Sequence, residues 1–396
     1  MDLSKYTSSQ TAWSGIYKYG SDHPDLFGGR LPDPRTEDDL LKVIRKQAAA
    51  VLSPKEYDTF RKSITSVRKG KIRYMNRENL YRLFWVLGLD SDTGAQDLLM
   101  NYLHQSELSA RSLDEFIMIA ALRIGLSWEE ARAVRVRYAE RIAAQPLSPS
   151  GISEGQTAEV YYKVISDQIH TAEDLCAYLD DDENMDFFAR TCNTQYLALF
   201  SDVELEVIYN GSDEERIRLY SDFGSLERET MQDYYYSLFG MAENAGPGGD
   251  AGSGDGLSEA EIMSLAGLFD NVFMSYDNFC LLVQRKRPVN VSSGTFLLGL
   301  FGKLLTEDED SSEDFYVNFL DPEEFTGVIN DILIYFGFPV LSPEIDPFER
   351  LVMDTYEECL SAYGGDNAAA VSNSEFAQIF TNSLRGNLRL LAARES

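Results

Sequence analysis

The sequence has few of the residues that build metal centres and disulfide frameworks. It contains four cysteines and three histidines among 396 residues. No two cysteines form a CxxC pair, and no two histidines lie four residues apart on one helix face. The patterns typical of zinc knuckles, redox motifs and zinc proteases are therefore missing. We expect no metal, no cofactor and reduced, mostly buried thiols.

Long apolar stretches are also missing. No run reaches the 18 apolar residues or so that a membrane helix needs, so we expect no contact with a membrane. The first residues, Met1-Asp2-Leu3-Ser4-Lys5, contain no apolar segment of the kind that a secretory signal requires. These absences predict a cytoplasmic protein, in which the thiols would stay reduced.

Positive charge is scarce overall but concentrated in one place. The formal net charge is −30. Residues 1–145 carry a net charge of +3 and residues 146–396 a net charge of −33. Within the first part, residues 42–77 hold eleven basic and two acidic side chains. Such asymmetry suggests that the basic segment has a charged partner.

Signals for strands are nearly absent, whereas helix starts recur along the chain. A serine is followed three residues later by an acid, the pattern of a capping box, at Ser53, Ser112, Ser127 and Ser258. Apolar residues recur at intervals of three and four between these starts. The sequence therefore predicts an all-α protein composed of several helical blocks.

Two polar breaks rich in proline, glycine and serine, at 145–156 and 243–256, divide these blocks. The predicted organisation is an irregular N-terminal segment at 1–35, a basic helical module at 36–144, and acidic helical blocks at 157–242 and 257–396.

No arrangement of residues indicates catalysis. The stretch Gly151-Ile152-Ser153-Glu154-Gly155 matches the spacing of a nucleophile elbow, but a Pro/Ser-rich linker precedes it instead of a buried strand. The three histidines are isolated from one another, so no nucleophile–base pair is apparent. We therefore predict that the protein is not an enzyme and has no catalytic residues.

The strongest functional signal is a predicted basic helix at 53–69, ending at Gly70. Its core-facing stripe comprises Tyr57, Phe60, Ile64 and Val67. Phosphate contacts in protein–DNA complexes come largely from lysine and arginine. The predicted polyanion-binding residues are Arg61, Lys62, Arg68, Lys69, Lys71 and Arg73. Three interpretations remain open: binding to DNA, docking on an acidic protein surface, and a solvated face without a specific role.

Five short motifs follow one another between residues 60 and 130. They are Arg68-Lys69-Gly70-Lys71, Asn76-Arg77-Glu78-Asn79-Leu80, Leu87-Gly88-Leu89, Arg111-Ser112-Leu113-Asp114 and Ile124-Gly125-Leu126-Ser127. In this order they resemble helix-turn-helix-like, repressor-like regulators of Gram-positive bacteria. Asn330-Asp331-Ile332-Leu333 and Asp346-Pro347-Phe348-Glu349 resemble the C-terminal regions of long, uncharacterised members.

The resemblance implies a regulatory protein with a degenerate helix-turn-helix-like module at 36–144. It is degenerate because only one helix, at about 37–52, is predicted before the basic helix, whereas repressors have two. The acidic blocks would then sense a partner or a signal. The alternative function is a protein-interaction scaffold, whose basic helix docks on an acidic face and binds no nucleic acid.

Overall fold

The computed structural model describes most of the chain. Its described residues are Leu3, 12–24, 26, 36–71, 75–89, 91–103, 105, 107–144, 158–189, 212, 214, 228–240, 256–269, 272–283, 292–304, 319–335, 338, 340–344, 346–363 and 371–395. These residues are mostly helical and include no strand, which confirms the all-α class for the part described.

The described residues form a series of helices. In chain order they are α1 Ala12–Asp22, α2 Glu37–Val51, α3 Pro54–Arg68, α4 Arg77–Leu87, α5 Asp92–Asp97, a π-helical segment Leu98–Leu103, α6 Leu113–Arg123, α7 Trp128–Ala144, α8 Ala158–Gln168, α9 Ala172–Asp180, α10 Asp182–Ala189, α11 Arg228–Gly240, α12 Glu259–Leu268, α13 Tyr276–Val283, α14 Ser293–Leu304, α15 Pro322–Tyr335, α16 Pro347–Tyr363 and α17 Asn373–Glu395.

The chain divides into two compact units. The N-terminal unit comprises Ser8–Arg141 and Gln156–Met185, and the C-terminal unit comprises Met1–Thr7, Ile142–Gly155 and Asp186–Ser396. The predicted block 157–242 is thus shared between them, with α8 and α9 in the N-terminal unit and α11 in the C-terminal unit. The predicted break at 145–156 lies outside the described residues.

The N-terminal unit is built around α6. Nine of the ten residues from Leu113 to Leu122 are buried, with Asp114 the exception. A helix that is apolar on nearly all sides belongs at the centre of a core. Helices α5, α8 and α9 pack against it.

Helix α1 was not predicted from the sequence, which suggested an irregular segment over residues 1–35. It forms because packing outweighs the low helix propensity of its two glycines. Trp13, Ile16 and Tyr19 are buried, and Gly15 lies directly against the backbone carbonyl of Tyr102 in the π-helical segment. Two helices, α1 and α2, therefore precede the basic helix.

Helices α2 and α3 form a helical hairpin joined by Leu52 and Ser53. Arg68, at the end of α3, pairs with Asp38, at the start of α2. The two helix ends that are farthest from the turn therefore lie close together. Each helix is about 22 Å long. In a repressor-type turn the helices cross at roughly 90–120°, and the far ends would lie beyond the reach of one ion pair. The structure does not confirm a helix-turn-helix module.

The C-terminal unit has an aromatic core. The rings of Phe325 on α15 and Tyr356 on α16 stack with centroids 4.1 Å apart, and Phe380 on α17 lies edge-on to both. Around a second centre, Tyr235 on α11 contacts Phe279 on α13. Both α15 and α16 begin with proline after an aspartate, a position at which the missing N–H of proline costs nothing.

Candidate polyanion-binding site

Helix α3 forms within two residues of its predicted limits. The Ser53 and Glu56 side chains complete a capping box at its start. Gly70 follows the helix with φ +66°, a left-handed conformation that glycine adopts without strain. Phe60 and Ile64 are fully buried, so the opposite side of α3 faces solvent.

The solvent side of the α2–α3 hairpin carries a row of lysines. Lys55, Lys62 and Lys69 follow one another at intervals of seven residues, which places them in line about 10 Å apart. We call six exposed lysines the lysine face: Lys42 and Lys46 of α2, Lys55, Lys62 and Lys69 along α3, and Lys71 after it. Lys46, Lys55, Lys69 and Lys71 form no ion pair with any residue that the structure describes.

Asp58 lies within this face and holds two of its cations. Its Oδ1 accepts a hydrogen bond from Arg61 Nη2 at 2.8 Å, and its Oδ2 lies 2.7 Å from Lys62 Nζ. The bonds from Arg61 and Lys62 lower the pKa of the Asp58 carboxyl, and the pKa of Arg61 is raised in return. The Asp58 carboxylate and the Arg61 guanidinium therefore stay charged at neutral pH.

The other arginines of the hairpin are directed toward neighbouring helices. Arg68 pairs with Asp38, and its guanidinium lies 6.0 Å from the ring centroid of Trp13 on α1. Arg45 donates to the Thr65 hydroxyl at 2.9 Å. These arginines join α1, α2 and α3 and present little free charge to solvent.

Of the six predicted residues, Lys62 and Lys69 lie in line along α3, and Lys71 is exposed just after the helix. Arg61 lies at the edge of the lysine face, and Arg68 is turned toward α2. Arg73 lies outside the described residues. The sequence prediction missed Lys42, Lys46 and Lys55, although the seven-residue spacing of Lys55, Lys62 and Lys69 is visible in the sequence.

The lysine face has no apolar centre. From residue 36 to residue 71, where every residue is described, no large apolar side chain is exposed. The exposed uncharged side chains on the hairpin include Ala49, Ala50 and Thr59. The surface is therefore mainly charged and polar, and its exposed apolar side chains are small.

A second charged cluster lies inside the N-terminal unit, around Glu115 of α6. Its carboxylate accepts hydrogen bonds from the Tyr81 hydroxyl and the Ser109 amide, and lies 3.0 Å from Arg77 Nε. The sequence predicted that Glu115 would cap its own helix at Ser112. Instead, only the Ser112 side chain caps α6, because the burial of Glu115 draws its carboxylate toward α4.

Arg135 of α7 extends this cluster to a third helix. It donates to Glu78 of α4 at 3.0 Å and to Asp114 of α6 at 2.9 Å, and lies 5.0 Å from the ring centroid of Tyr81. Only 14% of the Arg135 side chain is exposed. Burial raises the pKa of Tyr81 well above its usual value, so that hydroxyl stays protonated. The arrangement joins α4, α6 and α7 and presents no open site.

A buried carboxylate also occurs in the C-terminal unit. Glu349, in the first turn of α16, accepts the Ser293 hydroxyl of α14 at 2.8 Å and the Ser342 amide at 2.6 Å. Burial raises the pKa of Glu349 to about 7, and the nearby charge of Asp346 adds to the rise. The carboxylate thus joins two helices and the segment that precedes α16.

The acidic residues at the end of α9 and the start of α10 are partly neutralised. Arg137 and Arg141 of α7 pair with Asp180, and Arg141 also pairs with Asp182. No group of three or more potential metal ligands occurs among the residues that the structure describes. Within the same residues, no helix is long and apolar enough to cross a membrane.

No protein-family model, no curated protein and no solved structure matches this chain. The resemblance to helix-turn-helix-like regulators therefore stays a prediction.

Proposed function

We propose that this chain is a non-enzymatic regulatory protein that binds DNA through the lysine face, by contacts with the phosphate backbone and without reading the base sequence. The acidic helical remainder would sense a partner or a signal. The observation that carries the proposal is the lysine face itself, with four lysines that form no ion pair with a described residue.

The composition of the face favours nucleic acid over an acidic protein surface. Stable protein interfaces have an apolar core, and lysine is depleted in them. The lysine face offers no large apolar side chain around which such a core would form. Interfaces with DNA are more polar and strongly positive, and hydroxyl groups such as that of Thr59 also contact phosphates.

The geometry favours backbone contacts over base recognition. Arginine and lysine both make specific contacts to guanine, and the planar guanidinium of arginine has the fork geometry that favours bidentate binding. Arg45, Arg61 and Arg68 are instead engaged by Thr65, Asp58 and Asp38. Lysine acts as a mobile point charge, which suits phosphates at varied positions. Between Lys55 and Lys69 the face extends about 21 Å, the rise of about six base pairs.

Salt dependence of binding tests this proposal. Fluorescence anisotropy of a labelled, mixed-sequence duplex with the full chain gives the affinity at several salt concentrations. Four phosphate contacts, from the lysines that form no ion pair with a described residue, predict a slope of log K against log salt near −3.6, a loss of about 150-fold from 50 to 200 mM. Failure to bind at low salt would refute DNA binding. Binding to polyglutamate alone would instead support the acidic protein surface.

Matched charge variants locate the interface. The double variant Lys55→Gln/Lys69→Gln should reduce the magnitude of the slope by about 1.8, because two phosphate contacts are lost. The control Lys18→Gln/Lys163→Gln removes the same charge from exposed positions on α1 and α8. It should leave the slope unchanged. Equal weakening by both variants would contradict a role for the lysine face.

A further inference from the structure

Two acidic side chains pair with lysines of the lysine face: Asp39 pairs with Lys42, and Asp58 pairs with Lys62 and also holds Arg61. Between residues 42 and 71, the only acid besides Asp58 is Glu56. Glu56 turns away, because its carboxylate caps Ser53 and accepts from the Trp128 indole of α7 at 3.2 Å. Asp58 is half-exposed and, among the residues that the structure describes, has no partner besides Arg61 and Lys62.

Each carboxylate oxygen of Asp58 binds a different cation. Oδ1 binds Arg61 one turn further along α3, and Oδ2 binds Lys62 at the four-residue spacing. A phosphate offers the same two features, negative charge and several acceptor oxygens. The Asp58 carboxylate therefore occupies the position that a DNA phosphate would take between these two side chains.

We infer that the Asp58 carboxylate competes with a DNA phosphate for Lys62 and Arg61, and so limits the affinity of the lysine face for DNA. This inference rests on the proposed function. Binding would require Lys62 and Arg61 to leave the carboxylate, and the freed negative charge would then lie beside the DNA. Ion pairs this exposed are weak, so a phosphate displaces them readily. The lysine face would therefore bind DNA with low affinity and release it quickly.

The variant Asp58→Asn tests this inference in the full chain. It removes the carboxylate charge but keeps a side chain of the same shape, and no helix cap depends on it. The freed Lys62 and Arg61 should tighten binding to the duplex several-fold. The upper limit is about eightfold per added phosphate contact at 0.1 M salt, with a steeper salt slope.

The control is Asp180→Asn, which causes the same charge change. Asp180 is 48% exposed, against 49% for Asp58, and likewise holds two cations, Arg137 and Arg141. We expect little change in affinity for this control. Equal tightening by both variants would overturn the inference, because it would show an effect of net charge alone.

A third variant shows whether the freed lysine is responsible. In a Lys62→Gln background, Asp58→Asn should produce a smaller gain than in the wild type. A wild type that binds while Asp58→Asn binds no more tightly would refute the role of Asp58 and leave the proposed function intact. Failure of every variant to bind would refute the proposed function instead.

Discussion

Arg135, in the charged cluster around Glu115, is predicted to contribute strongly to the stability of the N-terminal unit. Replacement by methionine keeps a side chain of similar length but removes the guanidinium that joins Glu78 and Asp114. Glu78 retains Arg82 at 3.0 Å, whereas Asp114, which is 18% exposed, loses its ion pair and has no other with a residue that the structure describes. Removing one partner of a buried ion pair costs about 3–5 kcal/mol.

The size of the unit sets the thermal effect. The N-terminal unit contains 164 residues. For a domain of this size, 1 kcal/mol changes Tm by about 2–4 °C, so Arg135→Met should lower Tm by about 10 °C. Tryptophan fluorescence follows this unit selectively, because Trp13, Trp85 and Trp128 are the three tryptophans of the chain and all belong to it.

The matched control lies two residues further along the same helix. Arg137 is 57% exposed and pairs with Asp180, which is itself about half-exposed. Exposed pairs contribute about 0–1 kcal/mol, so Arg137→Met should have a small effect on stability. Urea unfolding of both variants measures the difference. A loss below about 1 kcal/mol for Arg135→Met, or equal losses for the two variants, would refute the argument.

Two further predictions concern packing and pH. Gly15→Ala should destabilise the N-terminal unit by about 1–3 kcal/mol in urea unfolding, because its Cβ would overlap the Tyr102 carbonyl; Gly94→Ala, with its nearest neighbour at 3.5 Å, should be tolerated. The raised pKa of Glu349 means that the folded state binds a proton more tightly than the unfolded state. Stability of the C-terminal unit should therefore fall as pH rises from about 4.5 to 7. Glu349→Gln should remove this dependence in denaturation followed by circular dichroism, and an unchanged pH profile would contradict the assignment.

The local features of α3 could be predicted from the residues nearby. Pro54, the Ser53–Glu56 capping box and Gly70 mark its two ends, and Phe60 and Ile64 identify its buried side. These signals involve residues within one or two helical turns of each other. They therefore predict the limits and the buried side of α3 without knowledge of the tertiary contacts. The exposed position of Lys62 and Lys69 follows from the same periodicity.

Other features depend on contacts between segments far apart in the sequence. Helix α1 is stabilised by burial of Trp13 and by the close approach of Gly15 to Tyr102, neither of which is visible locally. The Glu115 carboxylate does not cap its own helix, because it binds Arg77 and Tyr81 of α4 instead. Sequence spacing cannot show whether the carboxylate binds the nearby helix start or residues that are distant in the sequence.

The basic segment illustrates both sides of this division. Its composition and period establish an amphipathic helix with cations on the outer side, because each depends on side chains a few residues apart. Which cations remain available to a ligand is decided by the fold: Asp38, from a different helix, engages Arg68, while Lys69 stays exposed. Charge pairing depends on distance in space, and the folding of α2 back along α3 sets that distance.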